Sequence, residues 1–197
     1  MAVAAGDHRL GPEYGQMLLR TSRDGLAAQA GHDLTIEVTR WSGRLAVADD
    51  GRQAELAVVI DLRSLVVLTG TGGIKPLTDR DRREIVATAG KVLLTDRYPE
   101  ARLEASSFEP DTSGTDEARW RGVLTGTLTI RDRSGPVRLD VTGGGGDRYR
   151  ATATVVQSDY GIKPYTAFLG ALRVRDAVDI EVELDLSGPQ TPPPKRP

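Results

Sequence analysis

His32 and Asp33 are adjacent residues whose side chains could do acid–base chemistry. Histidine moves protons near neutral pH and binds metal ions. The second histidine, His8, lies close to the N-terminus, whereas a zinc site needs three or four ligands. Neighbouring residues of a strand also point to opposite faces of the sheet. We therefore expect no catalytic residue and no metal site, and a polar or capping role for His32 where a strand begins.

Other catalytic and nucleotide-binding patterns are missing from the sequence. The chain has no cysteine, which removes thiolate nucleophiles and sulfur-ligated zinc. The Gly-x-Ser-x-Gly pattern of serine hydrolases is absent. The glycine run at 143–146 lacks the lysine and the following helix of a phosphate-binding loop, so it predicts a turn. An enzyme is the least favoured of the hypotheses.

The composition is that of one globular domain. The 197 residues are 39% hydrophobic and 27% charged, with a formal net charge of −2. Aromatic residues make up 5%, and no basic stripe is present, which argues against a nucleic-acid partner. No run of about 20 apolar residues is present, so we expect no membrane span.

The two ends differ from the rest of the chain. Asp7 and Arg9 interrupt the N-terminus before a secretory signal could form, which together with the absence of cysteine predicts a cytoplasmic location. We expect a flexible extension over 1–13, a folded domain over 14–186, and a disordered proline-rich tail over 187–197.

Period-two alternation of apolar and polar residues dominates the domain. Leu34, Ile36 and Val38 alternate with polar residues, and the same pattern runs through 120–130 and, with a break at Asp176, through 174–186. Five further segments are strand candidates: 16–21, 54–62, 102–108, 136–142 and 149–157. About eight strands with one apolar face each predict a mainly all-β fold with an antiparallel sheet, which can close into a barrel.

Short helices are predicted in the connections. Thr78 with Asp81 forms a capping pattern before an amphipathic helix, which Gly90 is placed to end. A second short helix is predicted over 164–171, because proline suits a first helical turn, and a third turn over 25–30. Two polar, glycine-containing loops are predicted at 131–136 and 143–147.

The interior of an eight-stranded barrel is either filled by side chains or able to hold one small ligand. Gly122 and Gly126 share a face with Leu124 and Leu128, and Ala151 and Ala153 share one with Val155. Such small inward residues predict an apolar void. The alternative is that larger neighbours fill the gap or that the glycines ease bends of the barrel. Both interpretations stay open from the residues alone.

The connection before the last strand concentrates Tyr160, Tyr165 and Phe168 in an aromatic-poor chain. These side chains are suited to a lid over an apolar ligand or to a plug that completes the core. The connection over 65–77, with Leu65-Val-Val-Leu68 and Ile74, allows the same two interpretations.

Six short motifs follow one another along the chain: Leu34-Thr-Ile-Glu-Val38, Asp61-Leu-Arg-Ser-Leu65, Tyr98-Pro-Glu-Ala-Arg-Leu103, Gly126-Thr-Leu-Thr-Ile130, Ser158-Asp-Tyr-Gly-Ile162 and Val174-Arg-Asp-Ala-Val-Asp-Ile180. Taken together and in this order, they resemble the YceI-like family of polyisoprenoid-binding proteins. The resemblance covers roughly 14–186. It implies an extended eight-stranded antiparallel lipocalin-like β-barrel with one to three short helices in the connections, a long cavity that holds a polyisoprenoid or similar amphiphilic chain, and homodimers as a common state.

The expected partner is therefore an apolar or amphiphilic lipid, polyisoprenoid or fatty-acid-like, with no other cofactor. The predicted ligand contacts are Ile36, Val38, Leu124, Gly126, Leu128, Tyr160, Ile162, Tyr165, Phe168, Leu169, Val178 and Ile180. On this basis Phe168→Ala and Leu128→Arg are expected to weaken lipid uptake. The alternative hypothesis is a structural or interaction barrel with a filled core and no ligand.

Overall fold

The computed structural model describes residues 3, 5–48, 53–111, 119–144 and 147–187, with only the backbone given at 119 and 120. One α-helix, α1 (Asp79–Leu93), stands out among β-strands in this part of the chain. The strands are β1 (Gly6–Leu10), β2 (Gly15–Thr21), β3 (Arg23–Asp24), β4 (Asp33–Val38), β5 (Trp41–Val47), β6 (Ala54–Asp61), β7 (Leu65–Thr71), β8 (Glu100–Pro110), β9 (Arg119–Ile130), β10 (Arg133–Gly144), β11 (Arg148–Val156), β12 (Thr166–Ala167), β13 (Leu172–Val174) and β14 (Ala177–Asp185).

Eleven of these strands form one curled antiparallel sheet in the order β1-β5-β6-β8-β9-β10-β11-β14-β2-β4-β7. Strands β4 and β5 follow each other with a two-residue break, and β6 and β7 with a three-residue break. These four strands pair as one long bent hairpin, held at the bend by hydrogen bonds from Thr39 N–H to Ser64 O (3.1 Å) and from Asp61 N–H to Arg40 O (3.0 Å). When β4 and β5 are counted as one bent strand, and β6 and β7 as another, eight neighbouring strands close into a ring. The predicted mainly-β antiparallel barrel class is therefore confirmed.

Three strands of the large sheet escaped sequence prediction, as did the short strands β3, β12 and β13. Gly6–Leu10 was expected to be flexible but forms β1, which pairs with β5 because Leu10 buries its side chain in the core. Trp41–Val47 forms β5, with Trp41 and Val47 buried at its two ends. The predicted connection over 65–77 begins with strand β7, in which Leu65 and Val67 are buried. The tail beyond Ser187 lies outside the described residues.

Helix α1 begins as predicted and ends later than predicted. Thr78 Oγ1 accepts the Asp81 N–H (3.2 Å), and Asp81 Oδ2 accepts the Thr78 N–H (2.8 Å), so the capping box is confirmed. Gly90 stays helical, and the left-handed residue that ends the helix is Leu94, with φ of 56°. Glycine often occupies the left-handed position that ends a helix, because it has no Cβ to clash there, whereas here a leucine adopts that strained conformation.

Two arginines tie α1 to the sheet. The guanidinium of Arg82 donates to the backbone carbonyls of Val67 and Leu68 on β7, the last strand of the sheet order. Arg131, in the turn between β9 and β10, donates to the carbonyls of Val92 and Leu93 at the end of the helix. Carbonyls at a helix C-terminus lack helical partners and carry partial negative charge, so a cation is favourable there.

The remaining connections partly match expectation. The predicted helix over 164–171 is wrong: Thr166–Ala167 is strand β12, which pairs with β13 through a short 3₁₀ turn at Phe168–Gly170. The predicted turn over 25–30 contains a 3₁₀ turn at Ala28–Ala30. The predicted loop over 131–136 shrinks to two residues, because β10 already begins at Arg133.

Candidate ligand-binding cavity

The barrel encloses a cavity of about 750 Å³ between the sheet and helix α1. Its depth is lined by side chains that are almost fully buried and apolar. These are Met17, Ile36, Val38, Leu62, Leu65, Ala101, Leu128, Val155 and Ile162. Known ligand pockets measure about 300–1,000 Å³ and are predominantly apolar, so this space has the size and lining of a small-molecule site.

One side of the cavity is a helix face rather than a sheet. Residues spaced three and four apart along α1 line it: Asp81, Glu84, Ile85, Thr88, Ala89, Val92 and Leu93. This spacing places them on one stripe of the helix. Thr88 and Ala89 are short, so the middle of this wall leaves the space in front of it open.

Polar groups collect at the end of the cavity nearest solvent. Arg23, His32, Lys75, Asp81 and Arg173 lie in its lining there. His32 Nε2 lies 2.8 Å from the backbone oxygen of Lys75 and donates to it, since a carbonyl only accepts. The cavity therefore runs from an apolar interior to a polar mouth.

The side chains of His32 and Asp33 point in different directions, as predicted. While His32 contacts the loop at Lys75, Asp33 Oδ1 accepts the backbone N–H of Arg23 at 2.8 Å. Both side chains thus hold connections at the mouth in place. Among the described residues, no cluster of three or more His, Asp or Glu side chains is arranged to hold a metal ion.

Asp81 has a lowered pKa at this mouth. The hydrogen bond from the Thr78 backbone N–H is the largest cause, followed by the Thr78 hydroxyl, and nearby positive charge adds to it. Each favours the ionised carboxylate. Asp81 therefore caps the helix and adds a negative charge to the mouth.

A second, smaller void of about 160 Å³ lies deeper in the barrel. It shares Met17, Ile60, Leu128 and Ile180 with the large cavity, so the two are neighbours. Trp41 lines it, and the indole Nε1–H of this buried residue has no hydrogen-bond partner among the described residues. An unsatisfied buried donor is unfavourable.

The structure places eight of the predicted contact residues along these voids. Those on the large cavity are Ile36, Val38, Leu128, Ile162, Tyr165, Val178 and Ile180, and Leu124 lines the smaller one. Whether they contact a ligand stays a prediction.

Four predicted contacts lie elsewhere. Phe168 is 65% exposed and Leu169 is fully exposed, because the turn between β12 and β13 directs them outward. Tyr160 is 4% exposed and packs with Leu128 and Ile162 in the core, where burial raises the pKa of its hydroxyl, so it is a plug rather than a lid. Gly126 lies against β8, and a Cβ there would come within 2.2 Å of the Glu104 carbonyl oxygen.

The inward glycines do not create the void. A Cβ at Gly122 would lie 2.4 Å from the Phe108 ring, so that ring already fills the space, while Gly126 allows two strands to approach closely. Ala151 and Ala153, as predicted, do line the smaller void. The large cavity instead depends on the wall formed by α1. The apolar stripe of that helix was visible in the sequence, but its partner surface was not.

Known proteins resemble this chain in sequence pattern and in fold. A family model described as a YceI-like domain matches residues 21–186. A search of curated proteins gives no match. The crystal structure of Burkholderia cenocepacia BcnA is similar at 17% sequence identity and a TM-score of 0.58, covering 86% of this chain and 94% of that one. That of the Campylobacter jejuni YCEI protein is similar at 17% identity and a TM-score of 0.52, covering 76% of this chain and 81% of that one.

Proposed function

The chain belongs to the YceI-like domain family, and on that premise we propose that it binds, stores or transports a polyisoprenoid or similar long-chain amphiphilic lipid. The observation that carries the proposal is the cavity of about 750 Å³ with an apolar depth and a polar mouth. A lipid with one polar end matches that gradient, since its chain can occupy the interior while its headgroup stays near Arg23 and Lys75.

The driving force comes from burial of the chain. Each buried CH₂ contributes about 0.8 kcal/mol, so a few isoprene units outweigh an association cost of roughly 4–15 kcal/mol. The buried side chains at the depth of the cavity offer no charged partner, so selectivity there rests on length and shape. A charged or strongly polar ligand would lose its hydration without replacement.

Binding rather than catalysis accounts best for the mouth. His32 is engaged with the Lys75 carbonyl and Asp33 with the Arg23 backbone, so both side chains already serve the fold. The open cavity also supports a ligand carrier over a structural barrel with a filled core.

The proposal is tested by filling the cavity from the helix. Ala89 lines it, whereas Ala87 is exposed on the same helix, so Ala89→Phe and Ala87→Phe add the same ring inside and outside. We expect native mass spectrometry of the purified protein to show a lipid-sized adduct that organic extraction removes. Ala89→Phe should lower re-uptake of an added polyisoprenoid about tenfold or more, since the ring occupies ligand volume and displaces apolar contact.

Ala87→Phe should take up the lipid like the native chain. An adduct-free native protein that also fails to bind added polyisoprenoids would contradict the proposal. So would equal uptake by the two folded variants. The cytoplasmic location and the homodimer stay predictions. No helix among the described segments is long and apolar enough to cross a bilayer.

A further inference from the structure

Three large apolar side chains project from one end of the molecule into solvent. Leu26 and Leu169 are fully exposed and Phe168 is 65% exposed. We call these three residues the apolar tip. Single exposed apolar residues are ordinary, but a group of them on a protein surface marks an interaction site.

The two turns that carry the tip are joined through their backbones. The Ala27 N–H, next to Leu26, donates to the Ala171 carbonyl at 2.8 Å, and Ala171 follows the turn Phe168–Gly170. Strand β3 also pairs with β13 at the foot of both turns. The three side chains therefore belong to one surface held by the three-stranded sheet β12-β13-β3.

The backbone beneath the tip is unfavourable for the residues that it carries. Phe168 and Leu169 have φ of 50° and 55°, in the left-handed region where a residue with a Cβ is strained. Strained conformations concentrate at binding and switch regions. Here the strain turns two large apolar groups away from the protein, although both would be better buried.

The tip adjoins the mouth of the large cavity. Leu172 and Arg173, on the strand after the Phe168–Gly170 turn, line the cavity, as does Tyr165 before it. Tyr165 and Ile74, also in the lining, are 42% and 77% exposed. Apolar side chains therefore lie among the polar groups of the mouth, between the cavity lining and the outside of the protein.

The segments that carry the tip are basic in a chain that is acidic as a whole. Residues 22–31 and 163–175 contain Arg23, Lys163, Arg173 and Arg175 against Asp24, which pairs with Arg173 at 2.8 Å, and Arg23 faces Asp33 at 4.0 Å. Lys163 and Arg175 therefore carry the excess positive charge of the two segments, while the formal net charge of the chain is −2. Large apolar side chains surrounded by lysine and arginine are typical of surfaces that insert into the headgroup region of anionic membranes.

We propose that the apolar tip docks on an anionic phospholipid bilayer and holds the cavity mouth against the membrane surface. Three inserted side chains with a few cations give weak, reversible attachment. This docking does not depend on what the cavity holds. It would give an apolar ligand a path between bilayer and cavity that avoids water.

The test is co-sedimentation of the full chain with vesicles of phosphatidylcholine alone and of phosphatidylcholine mixed with phosphatidylglycerol. We expect binding to the mixed vesicles that weakens with added salt. Leu169→Asp should lower the bound fraction about tenfold, since it places an anion where the membrane is apolar and negative. Val66→Asp, at an exposed apolar residue on β7, is the matched control and should bind like the native chain.

Two readouts separate this proposal from the lipid-carrier function. Polyisoprenoid added from ethanol, without vesicles, should enter Leu169→Asp as well as the native chain, whereas Ala89→Phe should lose that uptake and keep vesicle binding. Phe168→Trp should show a blue-shifted emission on the mixed vesicles.

Absence of vesicle binding by the native chain would overturn the proposal, as would equal binding by Leu169→Asp. A dimer that Leu169→Asp dissociates, without any effect on vesicles, would instead identify the tip as a contact between two copies.

Discussion

The half of the barrel beneath helix α1 and the half around Trp41 both have a mainly apolar lining but are filled very differently. The first encloses about 750 Å³ and the second about 160 Å³. Around Trp41, large side chains such as Met17 and Leu10 meet across the sheet in one buried cluster. Beneath α1, the opposite wall is a helix whose central residues are short. An apolar inner face therefore indicates burial, while the element across from it decides whether the space is occupied.

The largest expected effect comes from truncating one side chain in each half. Trp41→Ala should lower the free energy of unfolding by about 3–5 kcal/mol, because it enlarges a small void inside packed surroundings. Ile85→Ala, on the helix wall, should cost only about 1–2 kcal/mol, since Ile85 already faces open space. Urea denaturation measures both. Equal losses would show that the two halves are packed alike.

A smaller effect is expected from weakening the attachment of helix α1, which forms one wall of the large cavity. Arg131→Ala removes the guanidinium that binds the carbonyls of Val92 and Leu93, and a hydrogen bond to a charged group is worth about 1.5–3 kcal/mol. Arg131 also donates to the Gly161 carbonyl at 2.9 Å. We expect a loss of about 2 kcal/mol, with faster amide hydrogen exchange confined to α1 and the turn around Gly161. Arg138→Ala, which breaks the exposed contact with Asp140, is the control and should change stability by less than about 0.5 kcal/mol. Uniform exchange across the barrel would argue against a separately held helix.

The smallest effect concerns the start of the same helix. Thr78→Ala removes one half of the capping box and should cost about 1 kcal/mol. The pH dependence separates the two halves of the box, because the pKa of Asp81 is below its ordinary value of 3.8. Its contribution is complete above that value and is lost as the pH falls through the lower pKa of the folded state.

We therefore expect the melting temperature of the native chain to exceed that of Asp81→Asn near pH 7, and the difference to shrink as the medium is acidified to about pH 2. A constant difference across this range would mean that the carboxylate charge contributes nothing to the cap.

Local patterns in the sequence predicted much of the barrel. Alternation with period two placed strands such as β4 and β9, and the Thr78–Asp81 spacing placed the start of α1. These signals arise from residues that lie within a few positions of one another in the sequence. Strand β1 could not be predicted in this way, because Leu10 is buried only through pairing with β5.

The candidate site was harder to predict because it depends on distances between distant elements. Gly126 indicated an empty interior, yet its missing side chain lets β8 and β9 approach. Phe168 was suited to a lid or to a plug, but the left-handed turn directs it outward. Alternation identified Ile36 and Val178 correctly as inward residues. Alternation carried no information about Ala89, whose short side chain matters because it faces the large cavity across from the sheet.

The contact of Arg82 with β7 has a consequence for how this protein behaves at high concentration. An outermost strand offers unpaired backbone groups that a second chain can extend by β-pairing. Arg82 occupies the carbonyls of Val67 and Leu68 on that strand, so two of its backbone acceptors are already bonded. We therefore expect the residue that fastens the helix also to hinder pairing of a second chain with β7.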